Sequence, residues 1–309
     1  MMISIVTTLY KSEEFISEFY KDIVAALNEI GTSNYEIIFV DDGSPDQSDK
    51  ICKGIIKSDK RVSLIKLSRN FGHHKAILAG LNEAKGERIF LIDVDLEEDP
   101  NWLTKFTNIL EKENVDCVYG VQVNRRGKNF EKLSGWMYYK LINFFSSIDV
   151  PHNLVTARLM TRKYLDSMLM FKEKDIAIGA FYILTGYKQI GIEVDKKSSS
   201  QSTYTLSEKI DTAVRGITSL SSKPLEMIFY FGLFTVFISI IFILVIIYYY
   251  MIHGIAQGWA SLATMIIFFS GMMISFLGMI GLYLGKVLTE VKRRPNYIIE
   301  KVFNSDNLN

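Results

Sequence analysis

Two aspartates, Asp93 and Asp95, directly follow an apolar run that ends at Ile92. In an extended segment residues i and i+2 point to the same side, so this D-x-D pair aims two carboxylates at one place. Carboxylate oxygens are the ligands that Mg²⁺ and Mn²⁺ prefer. The pair alone is a weak signal, because solvated carboxylates are common at strand ends. A second pair, Asp41 and Asp42, ends another apolar run, which argues against a chance surface placement of both.

The second acidic pair has two interpretations that spacing alone does not separate. Asp41 or Asp42 is able to accept a hydrogen bond from the N–H of a nucleotide base. The same residues begin the stretch DDGSPD, which is typical of a turn held by an Asx side chain. Polar residues also follow the first and third apolar runs of this region, namely Thr7, Thr8 and Tyr10, and then Ser68, Arg69 and Asn70.

These residues require a scaffold that brings four strand ends together, and the hydrophobic pattern supplies one. Apolar runs predict strands at residues 3–6, 36–40, 62–67, 88–92 and 116–121, and helical spacing predicts helices at residues 13–30, 49–57, 75–84 and 102–112. This alternation predicts an α/β fold with a mainly parallel sheet that binds ligands beyond the carboxyl ends of its strands. The sequence lacks the glycine patterns of dinucleotide and P-loop sites, which argues against both.

Residues 227–285 contain no Asp, Glu, Lys or Arg, which excludes a wholly soluble globular protein. We predict helices at residues 227–250 and 260–285, each about 36 Å long or more and able to cross a hydrocarbon layer of ~30 Å. The loop between the two helices contains no Lys or Arg. Basic residues instead flank the hairpin on both sides, namely Lys223, Lys286, Lys292, Arg293 and Arg294. The positive-inside rule therefore predicts a multi-pass protein of the inner, cytoplasmic membrane with both ends in the cytosol.

Two further features bear on partners. The chain has 35 Lys and Arg against 34 Asp and Glu, a net charge of +1 that argues against a nucleic-acid partner. Small residues recur at three- and four-residue spacing in the second apolar stretch: Gly271, Ser275, Gly278, Gly281 and Gly285. Another helix can approach closely at such a stripe, either from a second copy in a homo-oligomer or from the other helix of the hairpin.

The stretches IVTTLYKSEEFI, VDDGS, LSRNFGHHKAILAGL and IDVDLEEDP resemble the family-2 glycosyltransferases of GT-A fold. The hairpin placement is similar to that of the polyprenyl-phosphate branch, which includes dolichyl-phosphate mannose synthases and bacterial undecaprenyl-phosphate sugar transferases. The motifs cover about residues 2–205, and the architecture covers residues 206–290. The resemblance implies a cytosolic GT-A domain at 1–205, an interfacial helix at 206–222, two transmembrane helices within 223–285 and a cytosolic basic tail at 286–309.

The activity that this resemblance implies is an inverting sugar transfer at the cytosolic membrane face. The donor is a nucleotide sugar, with a UDP-sugar favoured, the acceptor is a polyprenyl phosphate such as undecaprenyl phosphate, and the cofactor is Mg²⁺ or Mn²⁺. The product would serve the modification of cell-surface glycans.

The resemblance also implies roles for individual residues. The nucleotide-binding positions are Thr8, which stands where the family usually has Pro, with Tyr10, Glu13, Asp42, Arg69, Asn70 and Asp93. The metal positions are Asp93, Asp95 and Glu97, the last in place of the Gln of the family's D-x-D-x-Q segment. The acceptor-phosphate positions are Arg125, Arg158, Lys197, Ser202 and Tyr204. The resemblance implies that Asp93, Asp95 and Arg158 are the catalytic residues.

The segment VTARLM, residues 155–160, departs from the family's D-F-R-L-M element. Arg158 matches it, but Thr156 occupies the place of an acidic residue often assigned as base or acceptor-positioning group. For a phosphate acceptor this loss matters less, because a phosphate monoester with a second pKa of about 6 is already largely anionic at pH 7. Two alternatives stay open: a glycan or lipid-linked oligosaccharide acceptor, and a non-catalytic sugar-lipid carrier or scaffold.

Overall fold

The computed structural model describes residues 1–122, 153–174, 178–197, 223–253 and 258–308. The chain divides into two compact units, one of Met1–Tyr139, Ile148–Thr205 and Arg294–Asn309 and the other of Lys140–Ser147 and Leu206–Arg293. Three predicted acceptor-site residues, Arg125, Ser202 and Tyr204, lie outside the described residues, as does the predicted interfacial helix at 206–222.

The first unit is a layered α/β domain. Its strands are β1 (Ile3–Leu9), β2 (Tyr35–Asp41), β3 (Val62–Leu67), β4 (Arg88–Leu91), β5 (Cys117–Gln122), β6 (Leu154–Thr161), β7 (Gln189–Val194) and β8 (Ile299–Phe303). Its helices are α1 (Ile16–Glu29), α2 (Ser48–Ser58), α3 (His73–Glu83), α4 (Trp102–Lys112), α5 (Arg162–Met168) and α6 (Ile178–Leu184). All nine predicted strands and helices up to residue 122 are present, which confirms the alternation read from the sequence.

One eight-stranded sheet, in the order β7-β5-β6-β4-β1-β2-β3-β8, joins the described strands. Strands β1 to β4 are parallel where they pair, whereas β6 runs antiparallel between β4 and β5. The sheet is therefore mixed and mostly parallel, as the α/β prediction requires. The register between β4 and β6 pairs Leu91, at the end of β4, with Arg158. The insertion of β6 therefore places Arg158 next to the strand that leads into Asp93 and Asp95.

The strands are buried on both faces because helices cover both. Side chains alternate along each strand, so Ile5 and Phe39 face one core, which also includes Phe19 of α1 and Phe106 of α4. The opposite face of the sheet packs on a second core, which includes Ile77 of α3 and Tyr164 of α5. The strand residues that face this core include Val6, Ile38, Val40 and Ile89. The two cores fix the sheet and leave its strand ends as the place for polar side chains.

Strand β8 was not predicted. The sequence indicated only a basic tail after residue 285, but Ile299–Phe303 pairs antiparallel with β3, with Leu64 opposite Phe303. A five-residue strand at a sheet edge has too little periodicity to be recognised alone, and its partner lies more than 200 positions earlier in the sequence. The N–H of Ser68 donates to the carbonyl of Ile298 at 3.0 Å, so β8 also restrains the end of β3.

The second unit contains two long helices, α7 (Lys223–His253) and α8 (Trp259–Val291). Within the described residues one segment, Phe268–Val291, is long and apolar enough to cross a membrane by length and composition, with a mean hydropathy of 1.7. Phe268, Ile274 and Leu284 are exposed along it. Both predicted helices are therefore present, whereas the prediction that both of them cross a membrane is matched by one candidate span.

The glycines of the predicted small-residue stripe lie on α8. A Cβ added at Gly271, Gly278, Gly281 or Gly285 would meet no described atom within 4 Å. The described part of α7 therefore does not pack on these glycines. Self-association through the stripe stays a prediction.

Candidate active site

The carboxyl ends of β1, β2 and β3 open into one cavity. Because these strands are parallel neighbours, the residues that follow them meet at the same edge of the sheet. The cavity has a volume of about 110 Å³. It is lined by Thr8, Leu9, Tyr10, Asp42, Asn70 and His73. Four of the predicted nucleotide-binding residues are thus brought together: Thr8, Tyr10, Asp42 and Asn70.

Asp42 organises the loop that follows β3. Its buried carboxylate accepts the N–H of Phe71 at 2.7 Å and the N–H of Gly72 at 2.9 Å. Burial raises the pKa of Asp42, although both backbone hydrogen bonds act in the opposite direction. The neighbouring Gly43 has a φ of +67°, and a Cβ there would lie 2.6 Å from the backbone nitrogen of Asn70. The two loops are therefore in backbone contact, and only glycine fits at position 43.

The two interpretations of the acidic pair apply to different residues. The carboxylate of Asp41 accepts the N–H of Ser44 at 2.8 Å, which is the turn interaction. Asp42 instead faces the cavity, although its oxygens already accept two backbone N–H groups. Contact between Asp42 and a nucleotide base stays a prediction.

Two other predicted nucleotide-binding residues lie beside the cavity without lining it. Glu13 accepts the N–H of Gln47 at 2.9 Å, while the N–H of Glu13 donates to Asp46 at 3.1 Å. This reciprocal pair ties the loop after β1 to the loop after β2. The guanidinium of Arg69 lies 4.5 Å from the ring centroid of Phe71. Glu13 therefore acts as a brace between loops in the described structure.

His73 connects the cavity to the D-x-D pair. Its Nδ1 lies 3.1 Å from Oγ1 of Thr8, and its Nε2 lies 3.6 Å from Oδ1 of Asp93. In the sequence, His73 is the first of two adjacent histidines that follow Asn70-Phe71-Gly72. Thr8 replaces the usual proline of the family, and a proline has no hydroxyl for this contact.

The D-x-D pair begins an acidic loop, which we define as residues 93–98. Oδ1 of Asp95 accepts the N–H of Glu97 at 3.0 Å. Burial raises the pKa of Asp95, and the negative charge of Asp93 adds to the effect. These two aspartates and Glu97 lie on one short segment of bends rather than on an extended strand, so the prediction that the D-x-D carboxylates point to one place stays a prediction.

Glu98 is a residue that sequence reasoning missed. Its side chain is fully buried, with Oε1 accepting the N–H of Thr156 at 2.8 Å and Oε2 accepting the N–H of Asp93 at 3.3 Å. Burial, with the charge of Asp93, raises the pKa of Glu98 to about 7. A buried carboxyl thus lies against the backbone of position 156, where the family has an acidic side chain. The run of acidic letters in DLEEDP gave no signal that this one points inward.

Lys196, also missed, brings a positive charge to the acidic loop from beyond β7. Its Nζ lies 3.2 Å from Oε2 of Glu97 and 3.9 Å from Oε1 of Glu98. Burial disfavours its charged form, but the surrounding carboxylates outweigh this effect and raise the pKa of Lys196. The adjacent Lys197, which was predicted to contact the acceptor phosphate, has an exposed side chain, and its N–H donates to the carbonyl of Glu97 at 2.9 Å. That predicted contact stays a prediction.

The donor chemistry of the acidic loop fits a hard divalent ion. Asp93, Asp95 and Glu97 offer carboxylate oxygens from one segment, and they already attract an ammonium group. Among the residues that the structure describes, no three His, Cys, Asp or Glu side chains converge closely enough to form a ready metal site. Metal binding by these three residues stays a prediction.

Arg158 lies on β6 beside the end of β4. It is buried, its Nε donates to the carbonyl of Thr156 at 3.1 Å, and its Nη2 donates to the carbonyl of Val155 at 3.1 Å. Its guanidinium carbon lies 3.3 Å from the ring centroid of Tyr182. In the described structure Arg158 supports the start of β6, and its predicted contact with an acceptor phosphate is untested.

Comparison with known proteins identifies the family of this chain. The model of glycosyl transferase family 2 matches residues 4–169. Putative glycosyltransferases of Mycobacterium tuberculosis are 39% identical over 99% of this chain and 90% of the relative. A prophage-derived bactoprenol glucosyl transferase of Shigella flexneri is 32% identical over 97% of this chain and 98% of the relative.

The chain was also compared with solved structures. The glucosyl-3-phosphoglycerate synthase of Mycobacterium tuberculosis, in complex with Mn²⁺, UDP-glucose and phosphoglyceric acid, has a TM-score of 0.49 and 18% identity over 72% of this chain and 79% of that chain. The family match and the full-length relatives confirm the resemblance drawn from the motifs. The chain belongs to glycosyl transferase family 2.

Proposed function

We propose that this protein transfers a sugar, with inversion, from a nucleotide sugar to a polyprenyl phosphate at the cytosolic face of the inner membrane. A UDP-sugar is the favoured donor, and Mg²⁺ or Mn²⁺ is the cofactor. The observation that carries the proposal is the position of His73, which lines the cavity beside Thr8 and has its Nε2 3.6 Å from Asp93 of the acidic loop. Relatives named bactoprenol glucosyl transferase, matched over nearly their full length, support the lipid acceptor.

The donor half of the reaction follows from the cavity and the acidic loop. Tyr10, Asp42 and Asn70 line the space in which we place the nucleoside. Asp93, Asp95 and Glu97 would hold the divalent ion, which supplies counter-charge to the departing diphosphate when bound. His73 sits where the two parts of the donor would meet, and it orients Thr8 and Asp93 relative to one another.

The acceptor half does not require a general base. A phosphate monoester is largely dianionic at pH 7, so its oxygen can attack the anomeric carbon while the bond from that carbon to the nucleotide oxygen breaks. Thr156 therefore need not abstract a proton. Glu98 is too deeply buried to touch an acceptor, and its hydrogen bonds to the N–H groups of Thr156 and Asp93 position β6 against the acidic loop.

A second argument supports two membrane crossings. β7 and β8 belong to one sheet, although α7 and α8 lie between them in the sequence. A chain that leaves a domain and returns to it crosses a membrane an even number of times. Phe268–Val291 supplies one candidate crossing, so we assign the second to α7. The basic residues outside the hairpin then favour the cytosol for the catalytic domain.

The test is a turnover assay on the full chain in detergent. The protein is incubated with Mn²⁺, undecaprenyl phosphate and a panel of nucleotide sugars, and nucleotide release and lipid mass are measured. We expect one donor to give a charged lipid monophosphosugar that mild acid cleaves. Sugar transfer only to a glycan or lipid-linked oligosaccharide would support the first alternative, and no nucleotide release with any donor would support the carrier.

A further inference from the structure

The ammonium of Lys196 occupies a place that a divalent ion would seek. Lys196 lies two residues after β7 and reaches the acidic loop, with 22% of its side chain exposed. Its Nζ is 3.2 Å from Glu97, one of the three predicted metal ligands, and 3.9 Å from the buried Glu98. The same ammonium also interacts electrostatically with Asp93 and Asp95.

Four carboxylates on one six-residue loop repel one another when they are ionised. A cation beside them reduces this repulsion, and the effect is larger at a half-buried site than in open solvent. Glu97 is the group that both cations would use, because its Oε2 contacts Lys196 and the same carboxylate belongs to the predicted metal set. A metal ion that takes Glu97 must therefore displace the ammonium or share the carboxylate with a like charge nearby.

We propose that Lys196 is a tethered counter-ion of the acidic loop that competes with the divalent ion for Glu97. Without metal the ammonium neutralises the loop, and metal binding releases it from Glu97. This inference rests on the metal-dependent part of the proposed function and assigns Lys196 a positioning role rather than a catalytic one.

The test measures Mn²⁺ binding directly, by isothermal titration and by the electron paramagnetic resonance signal of free Mn²⁺, on the full chain in detergent without nucleotide. Lys196→Met removes the competing charge, and we expect Mn²⁺ to bind about tenfold more tightly, or about 1.4 kcal/mol. Lys196→Arg keeps the charge and should bind Mn²⁺ with the affinity of the unmodified chain.

Lys197→Met is the matched control, because it removes the same charge from the adjacent residue, whose side chain is exposed. Its Mn²⁺ affinity should change less than twofold. Thermal melting provides a second measurement: without metal Lys196→Met should melt at a lower temperature, and Mn²⁺ should restore it more than it stabilises the unmodified chain. Lys196→Gln, with a polar end group, replaces Lys196→Met if the latter does not fold.

Two failures can be told apart. If the unmodified chain binds Mn²⁺ but the Lys196→Met and Lys196→Gln variants bind it equally or more weakly, the counter-ion proposal is wrong and the proposed function is unaffected. Equal tightening by Lys197→Met would also contradict it, since the effect would be one of general charge. If no form binds Mn²⁺ with or without UDP, the metal-dependent part of the proposed function fails, and the role of Lys196 fails with it.

Discussion

The two halves of the site are built by different forces. In the donor cavity, polar side chains are fixed by short hydrogen bonds to backbone N–H groups, as Asp42 is by Phe71 and Gly72. In the acidic loop, four carboxylates lie on six consecutive residues, and the ammonium of Lys196 lies 3.2 Å from Glu97 and 3.9 Å from Glu98. The first half is held by hydrogen bonds within the protein, whereas the second carries electrostatic repulsion that a bound cation would relieve. The difference indicates that loop mutations should alter activity and metal response, while cavity mutations should alter stability.

The largest effect should come from the acidic loop. Asp95→Asn removes a carboxylate from the metal set but preserves the side-chain oxygen that accepts the N–H of Glu97. We expect the rate of nucleotide release to fall by about 100- to 1000-fold, because charge stabilisation of this kind is worth roughly 3 to 4 kcal/mol. The melting temperature should not fall, because a partly desolvated charge is also removed.

Asp99→Asn is the matched control for this substitution. Asp99 lies just beyond the acidic loop, and its Oδ1 accepts the N–H of Asn101 at 2.9 Å, a bond that Asn can also make. The rate of nucleotide release by Asp99→Asn should stay within about a factor of three of the rate of the unmodified chain. Equal loss in both variants would show that the effect is not specific to the D-x-D pair.

The donor cavity should respond in the opposite way. Asp42→Ala leaves the N–H groups of Phe71 and Gly72 without their acceptor, and we expect the free energy of unfolding to fall by about 2 to 4 kcal/mol. Denaturant titration of the full chain in detergent measures this loss, and titration with UDP should show weakened binding. Asp41→Ala removes one hydrogen bond, from the N–H of Ser44, and should lower the free energy of unfolding by less than Asp42→Ala does. If Asp42→Ala kept full stability and lost only Mn²⁺ binding, the donor cavity would behave as we expect of the acidic loop, which would contradict the comparison between the two halves.

Glu98 offers a pH test of the repulsion in the acidic loop. Its pKa is raised from 4.5 to about 7 in the folded chain. Between these values the folded state binds more protons than the unfolded state, so stability falls as the pH rises from about 4.5 to about 7. Relative to Glu98→Gln, the unmodified chain should lose roughly 1 to 3 kcal/mol between pH 5 and pH 8.

The comparison is made by denaturant titration with a chelator present, at several pH values. Asp41, Asp42 and Asp95 also have raised pKa values, but they are common to both proteins and cancel in the difference. Parallel stability curves for the two proteins would mean that Glu98 is already ionised at pH 5.

The smallest effect should come from the contact that joins the halves. Thr8→Val removes the hydroxyl that lies 3.1 Å from His73. Because this contact is exposed to solvent, we expect the free energy of UDP binding to change by less than about 1 kcal/mol, which is less than a fivefold change in UDP affinity. Isothermal titration with UDP and Mn²⁺ measures it. A loss as large as that of Asp42→Ala would show that Thr8 contacts the nucleotide directly.

The sequence predicted the framework of the site well because parallel strands place their ends together. The hydrophobic periods located β1 to β5 and α1 to α4, and four of the polar residues predicted at the strand ends line one cavity: Thr8, Tyr10, Asp42 and Asn70. The roles of Glu98 and Lys196 could not be predicted. Each is one of two identical adjacent residues, and the sequence does not show which member of the pair has the more buried side chain. Strand β8 was missed for a similar reason, since an edge strand depends on a distant partner.

The sequence by itself determined the family, the order of the strands and helices up to residue 122 and the D-x-D pair, because local periodicity and short motifs carry that information. Only the tertiary structure decided that β6 inserts between β4 and β5, that the C-terminal segment adds an edge strand to the sheet, and that the side chain of Lys196 rather than that of Lys197 contacts the acidic loop. These outcomes depend on contacts between segments far apart in the chain. Packing and charge, rather than neighbouring residues, select among them.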